Sequence, residues 1–475
     1  MPEQPWSSAD ANSELDPLSS FFADWVEPDP EDEEDEFRSD FFGGSGGRRR
    51  KAAFTLMVIC SVVFALHLVA WGHWLVWSFA GMLVVYNLRL AFATPDPIPA
   101  SLTDAELTAA PTVSLLVSAK NEAAVIERLV NQLCTLDYPR DRYDVWVVND
   151  ASTDATPELL DRLAPDYANL RVIHRPANAG GGKSGALNQV VSQSQGAFIA
   201  VFDADAVVEP DLLRRVMPCF KAEDIGAVQV RKAVANPGEN FWTKGQRAEM
   251  ALDSYFQQQR IASGGIGELR GNGQFVRRQA LYSCGGWNEE TITDDLDLTF
   301  RLHLDRWNIG FCLVPAVNEE GVTQARALWH QRSRWAEGGY QRYLDYWRWI
   351  VSNRMGFAKT MDLLHFFWFQ YVLPTAAIPD LLMTLKRQDE PLLLPLSMVM
   401  ISFAAIGMIR GLMRIQNQTV EKVGFWQLLG QTLRGMIYTT HWFVVMPATT
   451  SRMSVRRKRL KWVKTTHEGK VSVAS

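Results

Sequence analysis

The pattern of this chain predicts an α/β fold, a mostly parallel sheet covered by helices, set between apolar helices long enough to span a membrane. Three observations carry that expectation. Short β-rich runs alternate with helical patterns between residues 111 and 335, the succession that builds parallel sheets. On both sides lie apolar stretches near the ~20 residues a spanning helix needs. Finally, Asp203 stands directly after an apolar run and Asp150 one residue beyond another, and sheets of this kind bind ligands beyond the carboxyl ends of their strands.

The elements follow in order. Residues 1–51 read as a disordered tail of Ser, Asp, Glu, Pro and Gly, almost continuously acidic over 27–36 and ending in the basic run Arg48-Arg49-Arg50-Lys51. No apolar segment follows the initiator methionine, so the tail is not a signal peptide. Residues 52–93 hold two apolar stretches broken at Gly72-His73, which predicts a helical hairpin. The basic run before it places the N-terminus in the cytoplasm, and two crossings return the chain there. The domain over 111–335 is therefore expected in the cytosol. Its strand candidates are 113–118, 143–148, 170–174, 197–202, 227–230 and 311–314, and Val125, Leu129 and Leu133 give 122–136 a helical spacing.

Beyond the domain, Tyr343, Tyr346, Trp347 and Ile350 share one helical face, which predicts an interfacial helix within 336–360. A C-terminal membrane region over 361–450 follows. Its spans are 363–385, kinked by Pro374 and Pro379 and carrying Asp380, and 391–409. Residues 425–450 contain Arg434 and His441; a crossing and a re-entrant course both remain open for them. The chain closes in a basic tail, 451–475.

Composition narrows the function classes. Across 475 residues the net charge is −5, which gives no case for binding nucleic acid. The five cysteines are scattered, with no CxxC pair, as expected of reduced thiols in a cytosolic domain rather than of disulfides or a zinc site. Many of the 17 tryptophans sit at the edges of apolar runs, where the headgroup region of a bilayer favours them.

The chemistry-bearing motifs come next. Asp203 and Asp205 form a D-x-D at the end of a buried strand. Two carboxylates placed there suit a hard cation such as Mg²⁺, with Mn²⁺ as a substitute, completed by phosphate oxygens and water. Asp150 opens a polar turn; alone it reads as a turn or helix-capping aspartate, and in a nucleotide site it can accept from the N–H of a uracil. The run Gly180-Gly181-Gly182-Lys183-Ser184 is not a Walker loop, since Ala177 stands where that motif requires glycine. It reads as a flexible loop bringing Lys183 to a diphosphate. Thr293-Asp294-Asp295 starts a helix, where aspartates complement the dipole; in a site, Asp295 is placed to act as a general base on a hydroxyl. Gln331-Arg332-Ser333-Arg334-Trp335 offers guanidinium groups for a diphosphate and an indole for stacking.

Taken in order, Asp150, Asp203/Asp205, Asp295 and the QRSRW run resemble the membrane-integrated, inverting family-two glycosyltransferases of GT-A fold, a group that includes cellulose, hyaluronan and poly-N-acetylglucosamine synthases. The resemblance spans most of the chain. It implies a Rossmann-like GT-A domain flanked by transmembrane helices, with Asp150 at the uridine, Asp203 and Asp205 at diphosphate and metal, Asp295 as base, and Gln331, Arg334 and Trp335 closing the donor site. The usual TED is here TDD, so Asp294 keeps the glutamate's charge with a shorter reach. Asn149 stands where many members carry another aspartate. Within the family, the acidic tail, Arg270-Gly271-Asn272-Gly273 and the closing 461–469 stretch are most similar to members that glucosylate a membrane lipid. That implies UDP-glucose as donor and diacylglycerol, or another membrane lipid, as acceptor. The alternative is a processive polysaccharide synthase, favoured by QRSRW; a translocating channel needs several packed spans, and the four expected here with a fifth left open lean towards the lipid acceptor. A non-catalytic scaffold would be expected to lack a carboxylate, and every one is present.

Overall fold

In a computed structural model, which describes residues 47–418 and 424–456, the sheet has seven strands in the order β3-β2-β1-β4-β6-β5-β7. They are β1 (Val113–Ala119), β2 (Tyr143–Asp150), β3 (Leu170–Arg175), β4 (Phe198–Asp203), β5 (Ile225–Val234), β6 (Gln274–Arg277) and β7 (Asn308–Glu319). The first four are mutually parallel, β5 and β7 pair in parallel, and β6 alone runs antiparallel, between β4 and β5. The expected α/β fold with a mostly parallel sheet is therefore present.

Burial on both faces explains why β1, β2 and β4 are mostly apolar. Leu115, Val117, Val145, Val147, Ala200 and Phe202 point into one core. Their neighbours Leu116, Val148, Ile199 and Val201 alternate into the other. The chain builds outward from β1 through β2 to β3, then returns to place β4 on the other side of β1. That reversal opens a crevice at the carboxyl ends. The register sets Ser118 beside Asp203 and Ala119 beside Asn149, so Asp150 and Asp203 emerge on one edge.

Sequence and structure differ in instructive places. β6 has no counterpart among the expected strands, and β5 and β7 run longer than expected. β7 crosses Pro315, where the pairing slips: Val230 faces Cys312, but Arg231 already faces Ala316. Proline cannot donate to a ladder, so a bulge absorbs it.

Among the described residues, three helices are long and apolar enough to cross a membrane: Arg48–Leu68, Gly72–Phe92 and Leu394–Gln416. At about 1.5 Å per residue each exceeds the ~30 Å hydrocarbon layer. The basic run lies inside the first of these helices rather than ahead of it. The turn between the first two is tight enough to require glycine, since a Cβ on Gly72 would stand 1.9 Å from the Leu66 carbonyl oxygen. Phe54, Leu68, Trp74, Trp77 and Phe92 face outward, as lipid contact demands.

The span expected at 363–385 lies within a helical run of Phe357–Phe367, a five-residue π-helical segment Trp368–Val372, and Leu373–Arg387. Its Asp380 is buried, meeting His67 at 2.8 Å and accepting from the N–H groups of Leu392 and Leu393 at 3.1 Å each. Residues 425–450 form two helices, Phe425–Thr439 and Trp442–Val455, of 15 and 14 residues, each too short to cross alone. The stretch expected to lie in the interface is the second half of a 27-residue helix, Ala325–Val351. Its Tyr343, Tyr346 and Ile350 pack inside the protein and only Trp347 of that face is exposed. The acidic tail over 1–46 and the basic residues beyond Arg456 lie outside the described residues.

Candidate active site

The site forms at the carboxyl edge. Asp150 ends β2, and directly across the ladder Arg175 ends β3. Arg175 Nη1 donates to Asp150 Oδ1 at 2.6 Å, while Lys120 Nζ lies 3.8 Å from the other carboxylate oxygen. The same guanidinium donates to the carbonyls of Gly180 and Gly182, tying down the glycine loop. Gly181 there has φ +78°, and a Cβ on it would come within 2.3 Å of Glu289 Oε2; only glycine fits. The loop delivers Lys183 into the first turn of the Gly182–Val191 helix, and its Nζ donates to Asp203 Oδ1 at 2.6 Å. Burial disfavours the Lys183 ammonium, but the charges of Asp203, Asp294 and Asp295 outweigh it and raise its pKa.

Asp203 closes β4, its N–H donating to Asn272 Oδ1 at 3.3 Å. Asp205 is buried; its Oδ2 accepts from the Glu320 N–H at 3.0 Å and its carbonyl from Arg128. No group of three or more His, Cys, Asp or Glu side chains able to hold a metal occurs among the described residues. The two carboxylates nevertheless fit a hard divalent ion, which takes one or two protein carboxylates and completes its shell with phosphate and water.

Asp294 and Asp295 form the first turn of the Asp294–Leu304 helix. Asp295 Oδ1 accepts from the Leu296 N–H at 2.8 Å. Its other oxygen faces Gly271, where a Cβ would stand 3.4 Å away. Burial first, then the neighbouring Asp294 charge, push the Asp295 carboxyl up to about 6, with Lys183 and Lys232 acting against them. Such a value suits a general base working near neutral pH. Asp294 Oδ2 is buried without a hydrogen-bond partner among the described residues.

Two devices fix this helix against Ala325–Val351. Asp297, fully buried, accepts from Arg301 Nε at 2.8 Å, from Arg342 Nη1, and from the Tyr346 hydroxyl at 3.0 Å. Gly338 lets Thr293 approach so closely that a Cβ would lie 2.3 Å from its Oγ1.

The long helix carries the QRSRW run, and its parts diverge. Burial lowers the pKa of Arg334, and the charges of Asp203, Asp295 and Asp294 oppose that shift, so the guanidinium is within electrostatic reach of the carboxylates. Trp335 meets two cations, with Arg332 at 4.1 Å and Lys232 at 5.5 Å from its ring centre. Arg332 points the other way, to Glu249, Tyr438 and Trp442. Gln331 accepts from Arg332 Nη1 at 3.3 Å, and no hydrogen bond among the described residues joins it to the carboxylates. The structure thus gathers Lys183, Asp203, Asp294, Asp295, Arg334 and Trp335, with Asp150 linked to them through Arg175 and the glycine loop. Asp205 is held by Glu320 and Arg128, and Gln331 meets Arg332.

Several residues at the site were not expected. Arg175 and Asn272 position Asp150 and Asp203. Lys232 pairs with Glu319 at 2.8 Å, and its raised pKa reflects Glu319, Asp203 and Asp295 overcoming its burial. The available signal was the basic pair Arg231-Lys232 directly after the apolar run of β5.

Comparison with known proteins agrees with this arrangement. Residues 110–338 match the model described as glycosyltransferase like family 2. Over 472 residues the chain is 59% identical to a protein of Synechocystis sp. named beta-monoglucosyldiacylglycerol synthase, covering 98% of this chain and 97% of that one. A protein of the same name from Nostoc sp. is 55% identical over 470 residues, covering 99% of each. In fold, the chain is similar to a mannosyltransferase from Pyrobaculum calidifontis solved in complex with GDP-Man and Mn²⁺, with a TM-score of 0.51 and 20% identity over 80% of this chain and 99% of that one.

Proposed function

The chain belongs to the family described as glycosyltransferase like family 2, and from that premise we propose that it transfers glucose from UDP-glucose to the hydroxyl of 1,2-diacylglycerol, giving β-monoglucosyldiacylglycerol. The enzyme is a hexosyltransferase. What carries the reading is the near full-length likeness, membrane helices included, to two proteins named for that product.

The residues supply a route. UDP-glucose lies along the carboxyl edge, its uracil N–H donating to Asp150 and its diphosphate beside Lys183 and Arg334. Asp203 and Asp205 would hold a divalent cation, Mg²⁺ or Mn²⁺, which would neutralise charge on the diphosphate. Asp295 takes the proton of the acceptor hydroxyl as its oxygen forms a bond to C1 of the sugar. The C1–phosphate oxygen bond breaks, and UDP leaves with the electron pair. One base suffices for this single displacement with inversion; a covalent route with retention needs a second carboxylate as nucleophile. Asp294 raises the basicity of Asp295. Trp335, beside two cations, walls the acceptor side. A lipid acceptor is consistent with the exposed apolar helices, because its hydroxyl lies at headgroup depth.

The test is to incubate membranes carrying the protein with labelled UDP-glucose and diacylglycerol. A single labelled glycolipid supports the reading. Labelled chains longer than one sugar identify a polysaccharide synthase and overturn it.

A further inference from the structure

At the start of the Phe357–Phe367 helix lies a surface cavity of about 330 Å³ whose walls include Arg306, Asn308, Asn353, Arg354, Gly356 and Lys359. Three of its lining residues are cationic and none is acidic. The helix is capped by Gly356, with no side chain bonded to its first turn, so its leading N–H groups and the positive end of its dipole face the cavity. Main-chain carbonyls help to aim two of the cations. Arg354 Nε donates to the Leu304 carbonyl at 3.1 Å, and Lys359 Nζ to that of Trp307 at 3.4 Å. Arg306 and Lys359 have no ion-pair partner among the described residues. The nearby acid, Asp224, already accepts from the Asn308 side chain.

The surroundings are apolar. Trp347 and Val351 lead up to the cavity on one helix, and Phe357 and Met361 lead away on the next, all exposed, Val351 at 67% and Phe357 at 71%. In a chain with three helices fit to cross a membrane, such rows of exposed apolar side chains mark contact with a bilayer. The second helix runs on into the segment where Trp368 packs on Phe79 of the Gly72–Phe92 span, with ring centres 4.8 Å apart. Exposed apolar side chains therefore flank the positive cavity on both helices.

We propose that this cavity binds the phosphate of an anionic phospholipid headgroup, separately from the Asp295 site. Its far wall, through Arg354 and Leu304, is the C-terminal end of the helix whose first turn holds Asp295.

The experiment uses the purified full-length protein and short-chain phosphatidylglycerol, followed through the fluorescence of Trp349, on which Arg354 stacks at 4.8 Å. Phosphatidylcholine and inorganic phosphate serve as the comparison ligands. Phosphatidylglycerol is expected to bind, and the double variant Arg306→Gln/Lys359→Gln to weaken it by about tenfold or more, two surface cations being removed. The charge-keeping variant Arg306→Lys/Lys359→Arg should bind as the wild type does. Equal binding by the Gln variant, loss in the charge-keeping variant, or inorganic phosphate displacing the lipid at equal concentration would each overturn the assignment.

Discussion

Replacing Asp294 by Asn tests how the site sets its base. Asp295 stands at about 6 against an ordinary 3.8, and the causes in order are burial and the Asp294 charge, offset by the Leu296 N–H, Lys183 and Lys232. The rise of about two pH units thus has two upward sources, of which Asp294 is the lesser. Removing its charge should lower the Asp295 pKa, each pH unit of displacement being worth ~1.4 kcal/mol. The sign follows from the role. A base works ionised, so activity is present above its pKa and lost as pH falls through it. The wild type should lose kcat/KM on an acidic limb centred near pH 6, and Asp294→Asn on a limb at lower pH. With each enzyme normalised to its own plateau, the variant should retain more of its activity at pH 5 than the wild type does. The assay is initial-rate glucosyl transfer in vesicles over a pH series. A limb that stays in place, or moves up, refutes the view that Asp294 raises the basicity of Asp295.

Other outcomes follow from the same geometry. Asp295→Asn should lower transfer by about 10²-fold or more while UDP affinity, by calorimetry, stays within a few-fold; an active variant would remove Asp295 from the role of base. Asp205→Ala should abolish the dependence of donor binding on added Mg²⁺ or Mn²⁺, and an unchanged metal titration would count against the carboxylate pair. Asp297→Asn removes the buried charge that Arg301 and Arg342 share, leaving Arg342 the more distant Asp345 at 3.9 Å. It should cost about 3–5 kcal/mol, read as a lowered thermal midpoint of the purified protein; an unaltered midpoint would show that the network does not hold the two helices together.

Where burial wrote a simple pattern, the sequence was readable. β1, β2 and β4 are mostly apolar on both faces, and the carboxylates that end β2 and β4 break that run, so strand and site residue were legible together. β6 was not, because four residues next to Gly271 and Gly273, both at positive φ, offer no period to count. β5 was cut short at Val230 because Arg231 and Lys232 look like a loop; Lys232 is charged because it faces the site, so function masked the strand. QRSRW was legible as a unit but not in its division of labour. At 100° per residue, Arg332 and Arg334 point to opposite sides of the helix, one to Glu249 and the other to the carboxylates. The tyrosines of 340–350 looked amphipathic because alternating bulk and charge does not reveal whether lipid or protein covers the bulk. Here Asp297, Phe300 and Tyr371 do.

The central claim is a single displacement driven by Asp295 on the face of the sugar opposite UDP. The stereochemistry of the product tests it most directly. The glucosyl lipid formed from UDP-α-glucose and diacylglycerol should show, by proton NMR of its anomeric position, only the β configuration. An α-glucosyl product would contradict the account, because it requires a second nucleophile or an attack from the face that UDP leaves.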